Sequence, residues 1–350
     1  MKESRYFDIY NNIKKKIVEG EYKKGEKLPS KRIMADVEGV SVITVEKAYG
    51  MLSEEGYIMP RERSGYFVSE IDVYESASSQ EEKSISFIKD DEVEANEFES
   101  SLWFKTVRKV ISEKGEMLFN KAPGKGCASL RNAIASYLLR ARGIFASPEN
   151  IVIGSGAEQL YASAVKLLGR DKIYGIENPS YSRIEAVYNG EGVKVKKLKM
   201  GSDGIDISEI EKGGFDVLHV TPFKSFPSNV TTSAKKRYEY LSWTREGGII
   251  IEDDFGSEFF APGAMRETLF SMDKGKNVIY INTFSKSLSP SMRMGYMILP
   301  ESLNKRYDEI LGDFSCSVPV LDQYVLAEFI ENGSFERHIN RMRRKMKQKA

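Results

Sequence analysis

The sequence predicts an α/β protein preceded by a small helical unit, and three observations carry that prediction. Across residues 103–299, short β-rich apolar runs alternate with helical patterns. Residues 5–68 hold three helix patterns followed by two short strand-like runs. Between them, residues 69–100 carry 11 acidic residues against two lysines and few large apolar side chains, a composition that predicts a linker. The expected division is therefore 1–68, 69–100 and 101–350, with enough chain in the last part to bury a substantial core.

In the first unit, Tyr6, Phe7, Ile9, Tyr10, Ile13, Ile17 and Val18 recur at helical spacing, and Gly20 stands where that helix stops. Ser30 caps a second helix over roughly residues 30–37, and Ser41 caps a third over roughly 42–55. Gly39-Val40-Ser41 supplies the tight turn between them, and Gly56 ends the third helix. Tyr57-Ile58-Met59 and Tyr66-Phe67-Val68 predict two strands around the polar tip Arg61-Glu62-Arg63-Ser64-Gly65. Helix, short helix, turn, helix and hairpin is the order of a winged helix-turn-helix. Such a unit lays its second motif helix in the major groove of double-stranded DNA, with the first turn facing the bases. Ser41, Val42, Thr44 and Lys47 then lie on the groove side, Ser30, Lys31 and Arg32 near phosphates, and Arg61 and Arg63 in the wing.

In the larger part, residues 130–139 read as an amphipathic helix. Ile151-Val152-Ile153, Val217-Leu218-His219-Val220, Gly248-Ile249-Ile250-Ile251, Val278-Ile279-Tyr280-Ile281 and Tyr296-Met297-Ile298-Leu299 read as buried strands. One helix is expected to run from near Val320 through Phe335 into the basic stretch Arg341-Met342-Arg343-Arg344-Lys345.

Composition narrows the functional classes. No apolar segment follows the charged start Met1-Lys2-Glu3, and no apolar run is long enough to span a membrane, so a cytoplasmic protein is expected. Cys127 and Cys316 form no pattern and read as free thiols, and His219 and His338 are too far apart in sequence to suggest a metal site. The net charge of +1 would not by itself signal DNA binding.

Residues 5–68 resemble the winged helix of the GntR family. The run from Lys27 to Arg32, then Gly39-Val40-Ser41, Thr44-Val45, Ala48-Tyr49, Leu52, Glu55-Gly56-Tyr57 and Ser64-Gly65-Tyr66-Phe67-Val68 fall in that family's places. Val42 departs from it: the family often has arginine there, so a cation is missing from the groove face.

Residues 282–296, Asn-Thr-Phe-Ser-Lys-Ser-Leu-Ser-Pro-Ser-Met-Arg-Met-Gly-Tyr, resemble the Schiff-base segment of fold-type I aminotransferases. The resemblance implies pyridoxal 5'-phosphate on Lys286, with Ser285, Arg293 and Thr283 holding its phosphate. Asp253, in Ile250-Ile251-Glu252-Asp253-Asp254-Phe255, would hold the pyridine nitrogen protonated. In Gly154-Ser155-Gly156-Ala157, Gly156 and Ala157 would offer backbone N–H groups to the phosphate, and Tyr181 would stack on the ring. Phe255 stands where the family usually has a tyrosine bonded to the ring oxygen, and residues 221–229 lack the usual His-Gln pair. Taken singly, each of these signals is common in unrelated chains; their order is what one cofactor requires.

The combination resembles the MocR subfamily of GntR regulators. It implies a three-layer αβα domain on a mixed, mostly parallel sheet, a homodimer, and sensing of pyridoxal phosphate or an amino-compound adduct. The family's small C-terminal domain, with its carboxylate-binding arginine, is expected to be absent. Two rival expectations are an active aminotransferase with an appended DNA reader, and a DNA-binding repressor whose cofactor domain is only a scaffold.

Overall fold

Val45, Ala48, Tyr49 and Leu52 recur three and four residues apart, and each is fully buried in a helix whose opposite face is exposed. That helix, α3 (Val42–Glu54), is the centre of the first unit in a computed structural model that describes residues 5–61, 64–69, 100–259 and 267–349. Around it pack α1 (Arg5–Val18), α2 (Lys31–Glu38) and the antiparallel hairpin β1 (Ile58–Arg61) and β2 (Gly65–Val68), paired from Ile58↔Val68 to Arg61↔Gly65. Ser30 caps α2 by accepting from the Ile33 amide at 3.3 Å, and Ser41 caps α3 by accepting from the Thr44 amide at 3.2 Å. Gly39 ends α2 at φ 62°, a conformation that spares it the Cβ clash and lets the chain turn at once into α3. The buried Tyr49 hydroxyl donates to the Pro29 carbonyl at 2.8 Å and so ties the motif helices together. Arg63 and nearly all of the expected linker lie outside the described residues.

The chain divides into two compact units, Met1–Asp91 and Glu92–Ala350. In the second, β8 (Val278–Thr283) shows how the layers arise. Val278 and Tyr280 belong to one apolar core and Ile279 and Ile281 to another, because successive strand residues face opposite ways. The sheet is thus covered on both faces, a three-layer αβα arrangement.

Its order is β3-β9-β8-β7-β6-β4-β5, with β3 (Ile151–Gly154), β4 (Ile173–Asn178), β5 (Lys194–Lys199), β6 (Val217–Val220), β7 (Ile249–Asp253) and β9 (Gly295–Ile298). Strand β9 runs against both its neighbours, and the rest of the ladder is parallel. One core draws on α4 (Ser100–Lys114), α5 (Ala128–Arg142), α9 (Ala234–Thr244), α10 (Leu269–Asp273) and α12 (Val320–Glu331), with the short α8 (Ile207–Glu211) beside α9. The other draws on α6 (Ala157–Leu168), α7 (Ser182–Gly190) and α11 (Glu301–Leu311).

Three expectations need correction. Strands β4 and β5 were not anticipated; Lys194–Lys199 carries four lysines on an edge strand, where one side of the ladder faces water. The helix predicted as continuous from Val320 is two helices, α12 and α13 (Ser334–Lys349). They break at Gly333, which takes φ 73°, while the Asn332 side chain accepts from the Ser334 amide at 2.9 Å. The helix read at 130–139 is longer at both ends, and Gly143 supplies its left-handed cap at φ 65°. Among the described residues no helix is long and apolar enough to cross a membrane.

Candidate cofactor site and DNA-reading face

Because β3, β4, β6, β7 and β8 run the same way, the loops leaving their C-terminal ends gather along one edge of the sheet. Ligands of open α/β sheets bind in the crevice at that edge. Those loops carry Gly156 and Ala157 after β3, Tyr181 after β4, residues 221–232 after β6, Phe255 after β7, and Ser285 and Lys286 after β8. Asp253 ends β7, Thr283 ends β8, and Arg293 immediately precedes the antiparallel return in β9. Parallel topology therefore brings the sequence-predicted cofactor residues to one edge.

The Lys286 amine lies 4.9 Å from the centre of the Phe255 ring and 5.9 Å from that of Phe259. Gly256, at φ 76°, leaves it room: a Cβ there would stand 2.7 Å from the lysine Nζ. The side chain is exposed, yet the protein around its amine removes part of its water. That desolvation lowers its pKa; Glu258 opposes the shift, and the Lys224 charge adds to it.

Asp253 is 7% exposed and accepts a hydrogen bond from the Tyr161 hydroxyl. Burial pushes its carboxyl up to about 6, the Tyr161 bond counters that, and Asp254 adds to it. His219 Nε2 lies 4.0 Å away but supplies no charge, since burial pulls that imidazole down to about 3. His219 Nδ1 is held by Tyr188 at 2.6 Å, while its buried Nε2 has no hydrogen-bond partner among the described residues. A buried carboxylate set between a hydroxyl and a neutral imidazole fits a protonated ring nitrogen.

At the other end, Gly156 caps α6 at φ 99°, and a Cβ on it would lie 3.2 Å from Arg293 Nη2. Arg293 reaches Glu158 at 3.2 Å, and Arg183 pairs with the same carboxylate. A helix start flanked by two guanidinium groups suits a phosphate. Thr283 is buried, Ser285 half-buried, and Tyr181 is 40% exposed with its ring edge-on to Phe226 at 6.2 Å.

Sequence reasoning missed the polar layer beneath this cleft. Asp254 is fully buried and pairs with Arg142 at 2.8 Å, also accepting from Tyr280 at 2.6 Å and Ser257 at 2.8 Å. Burial pushes Glu258 up to about 7, and it accepts from Asn282 at 2.7 Å. Glu177, pushed up to about 8 by burial, accepts from Ser225 at 2.6 Å and from the Thr221 amide at 3.2 Å. Helix α13 reaches the same layer: Arg343 donates to the Glu258 carbonyl, and His338 is bonded to the backbone of Ser287, next to Lys286. The one available signal was an acidic triplet, Glu252-Asp253-Asp254, following directly on an apolar strand.

On the first unit, Ser30, Arg32, Ser41, Val42, Lys47 and Arg61 are exposed, and Lys31 and Thr44 are half-buried. Lys31 is paired with Glu46, Lys47 lies 4.0 Å from the Tyr6 ring centre, and Arg61 lies 4.4 Å from that of Phe67.

These two units define a class: a helix-turn-helix DNA reader on the same chain as an aminotransferase-like α/β domain. Residues 5–68 match the family described as bacterial regulatory proteins, gntR family, and residues 94–350 match aminotransferase class I and II. The chain is 33% identical to the uncharacterized HTH-type transcriptional regulator YdeL of Bacillus subtilis, over 98% of this chain and 77% of that one. It is 27% identical to the probable rhizopine catabolism regulatory protein MocR of Rhizobium meliloti, over 96% and 73%. A kynurenine aminotransferase from Pyrococcus horikoshii shares its fold, at TM-score 0.64 and 23% identity over 71% of this chain; the chain spans 64% of that enzyme. The protein belongs to the MocR-type HTH transcriptional regulators of the GntR family.

Proposed function

We propose that this regulator holds pyridoxal 5'-phosphate on Lys286 and that cofactor state, or an amino compound exchanged onto the cofactor, sets its affinity for promoter DNA. The observation carrying this reading is the convergence of Lys286, Asp253 and the Gly156–Arg293 cradle at one sheet edge. They match an aldehyde, a pyridine nitrogen and a phosphate in turn.

When bound, the cofactor supplies a carbonyl that condenses reversibly with amines and a ring that accepts electrons. Lys286 would hold it covalently, its lowered pKa keeping more of the amine neutral and nucleophilic near pH 7. Asp253 would keep a proton on the ring nitrogen, while the Gly156 and Ala157 amides, Ser285, Thr283 and Arg293 would hold the phosphate. Tyr181 would stack on the ring. Were an amine to take the place of Lys286 on the cofactor, the lysine would be freed, and its neighbour Ser287 contacts α13 through His338. In a cytoplasmic homodimer, a shift of that kind alters the spacing of two DNA-reading units and so the half-sites they fit.

The test is equilibrium binding of the full chain to the DNA upstream of its own gene, with and without pyridoxal phosphate, beside Lys286→Ala. The reading expects affinity to change with cofactor in the wild type and not in the variant. Equal affinity in all four conditions contradicts it.

A further inference from the structure

The first turn of α3 presents unusual chemistry for a groove-facing helix start. Ser41 Oγ accepts from the Thr44 amide and lies 2.8 Å from Thr44 Oγ1, so both hydroxyls are engaged in the cap. The nearby cations are engaged too: Lys31 with Glu46, Lys47 against Tyr6 and Arg61 against Phe67. Arg32 sits on α2, the helix that crosses the backbone in this motif. What projects outward from the start of α3 is apolar. Val42 is 42% exposed and Ile43 77% exposed, while the core face of the helix is supplied by Val45, Ala48, Tyr49 and Leu52. The fold gains little from Ile43.

In the major groove only the thymine 5-methyl offers an apolar contact; guanine asks for a bidentate cation and adenine for an amide side chain. We infer that Val42 and Ile43 read thymine methyl groups, and that the operator half-site is specified at the start of α3 by T·A pairs rather than by guanine. This rests on the DNA-binding function of the family, and the test separates the two.

The experiment is selection of binding sequences from a random duplex pool by the full-length chain. Each thymine of the enriched half-site is then replaced by deoxyuridine, which removes only the methyl group. The wild type is expected to lose about four-fold in affinity for each methyl contacted. Ile43→Ala and Val42→Ala, exposed positions whose truncation leaves the core intact, are expected to bind thymine and uracil duplexes nearly equally at the matching position. Circular dichroism and the melting temperature of each variant confirm folding. Enrichment of a sequence that tolerates uracil throughout overturns the inference. So does a uracil penalty that survives in both variants, or a change of oligomeric state in Ile43→Ala with unchanged DNA discrimination. Failure to enrich any sequence overturns the inference and the DNA-reading function together.

Discussion

The Lys286 amine lies 4.9 Å from the centre of the Phe255 ring, so the aromatic ring beside the reactive nitrogen carries no hydroxyl. A hydroxyl at the ring's outer end would offer a donor to an anionic oxygen beside the lysine. Phe255→Tyr is therefore expected to tighten pyridoxal phosphate binding by ~1 kcal/mol, about five-fold. Titration of cofactor absorbance in both proteins measures this; equal affinities remove Phe255 from the account of cofactor hold.

Lys224 offers a second handle on the same amine. It follows β6 in a left-handed conformation, φ 53°, and its charge helps to lower the Lys286 pKa. Lys224→Ala is expected to move the pH profile of Lys286 modification by an amine-directed reagent to higher pH, with peptide mapping to isolate Lys286. An unmoved profile leaves desolvation alone responsible.

The buried carboxylates predict a pH dependence of stability with a definite sign. Burial pushes Glu177 and Glu252 up to about 8 in the folded chain, from an ordinary value of 4.5. A carboxyl raised on folding binds its proton more tightly in the native state, so its contribution is fully present below the unfolded pKa. That contribution is lost as pH rises through the folded pKa. His219 is neutral in both states above about pH 7 and does not interfere there. The carboxyls lose this contribution progressively from about pH 4.5 to about 8, so above pH 7, where His219 is silent, the melting temperature is expected to keep falling until about pH 8; Glu177→Gln, whose Oε1 still accepts from the Thr221 amide while its Nε2 donates to the Ser225 hydroxyl, should flatten the fall. A slope unchanged in that variant contradicts the assignment to Glu177.

Gly50 lies within α3, and a Cβ there would meet nothing within 4 Å. No turn or close packing within the unit requires glycine at this place. Gly50→Ala is expected to stabilise the DNA-reading unit by up to ~1 kcal/mol through helix propensity, read as the midpoint of denaturant unfolding followed in that unit. A loss of stability would reveal a contact the structure does not contain.

How far the sequence disclosed the molecule differs from element to element. Ser30, Gly39 and Ser41 announced their caps and turn because those residue types carry a local preference strong enough to survive tertiary context. The buried strands Ile249–Asp253 and Val278–Thr283 were legible for a similar reason, a continuous apolar run. Lys194–Lys199 was hidden because an edge strand faces water and needs little apolar content. The break at Gly333 was hidden because apolar spacing continues on both sides of it, and only the backbone shows that Gly333 turns the chain. Lys286, Asp253 and Arg293 stood out through their order along the chain. Arg142, Glu177 and Glu258 did not, since each is paired with a residue 24 to 112 positions away and a lone charged residue reads as solvated.

The central claim is that Lys286 is the residue that holds the cofactor. Its most direct test is incubation of the purified full chain with pyridoxal phosphate, reduction with borohydride, and peptide mapping by mass spectrometry beside Lys286→Ala. The account predicts a visible absorbance band before reduction and a phosphopyridoxyl label on Lys286 after it, with neither in the variant. No label at cofactor excess, or a label on Lys224 with Lys286 unmodified, contradicts it.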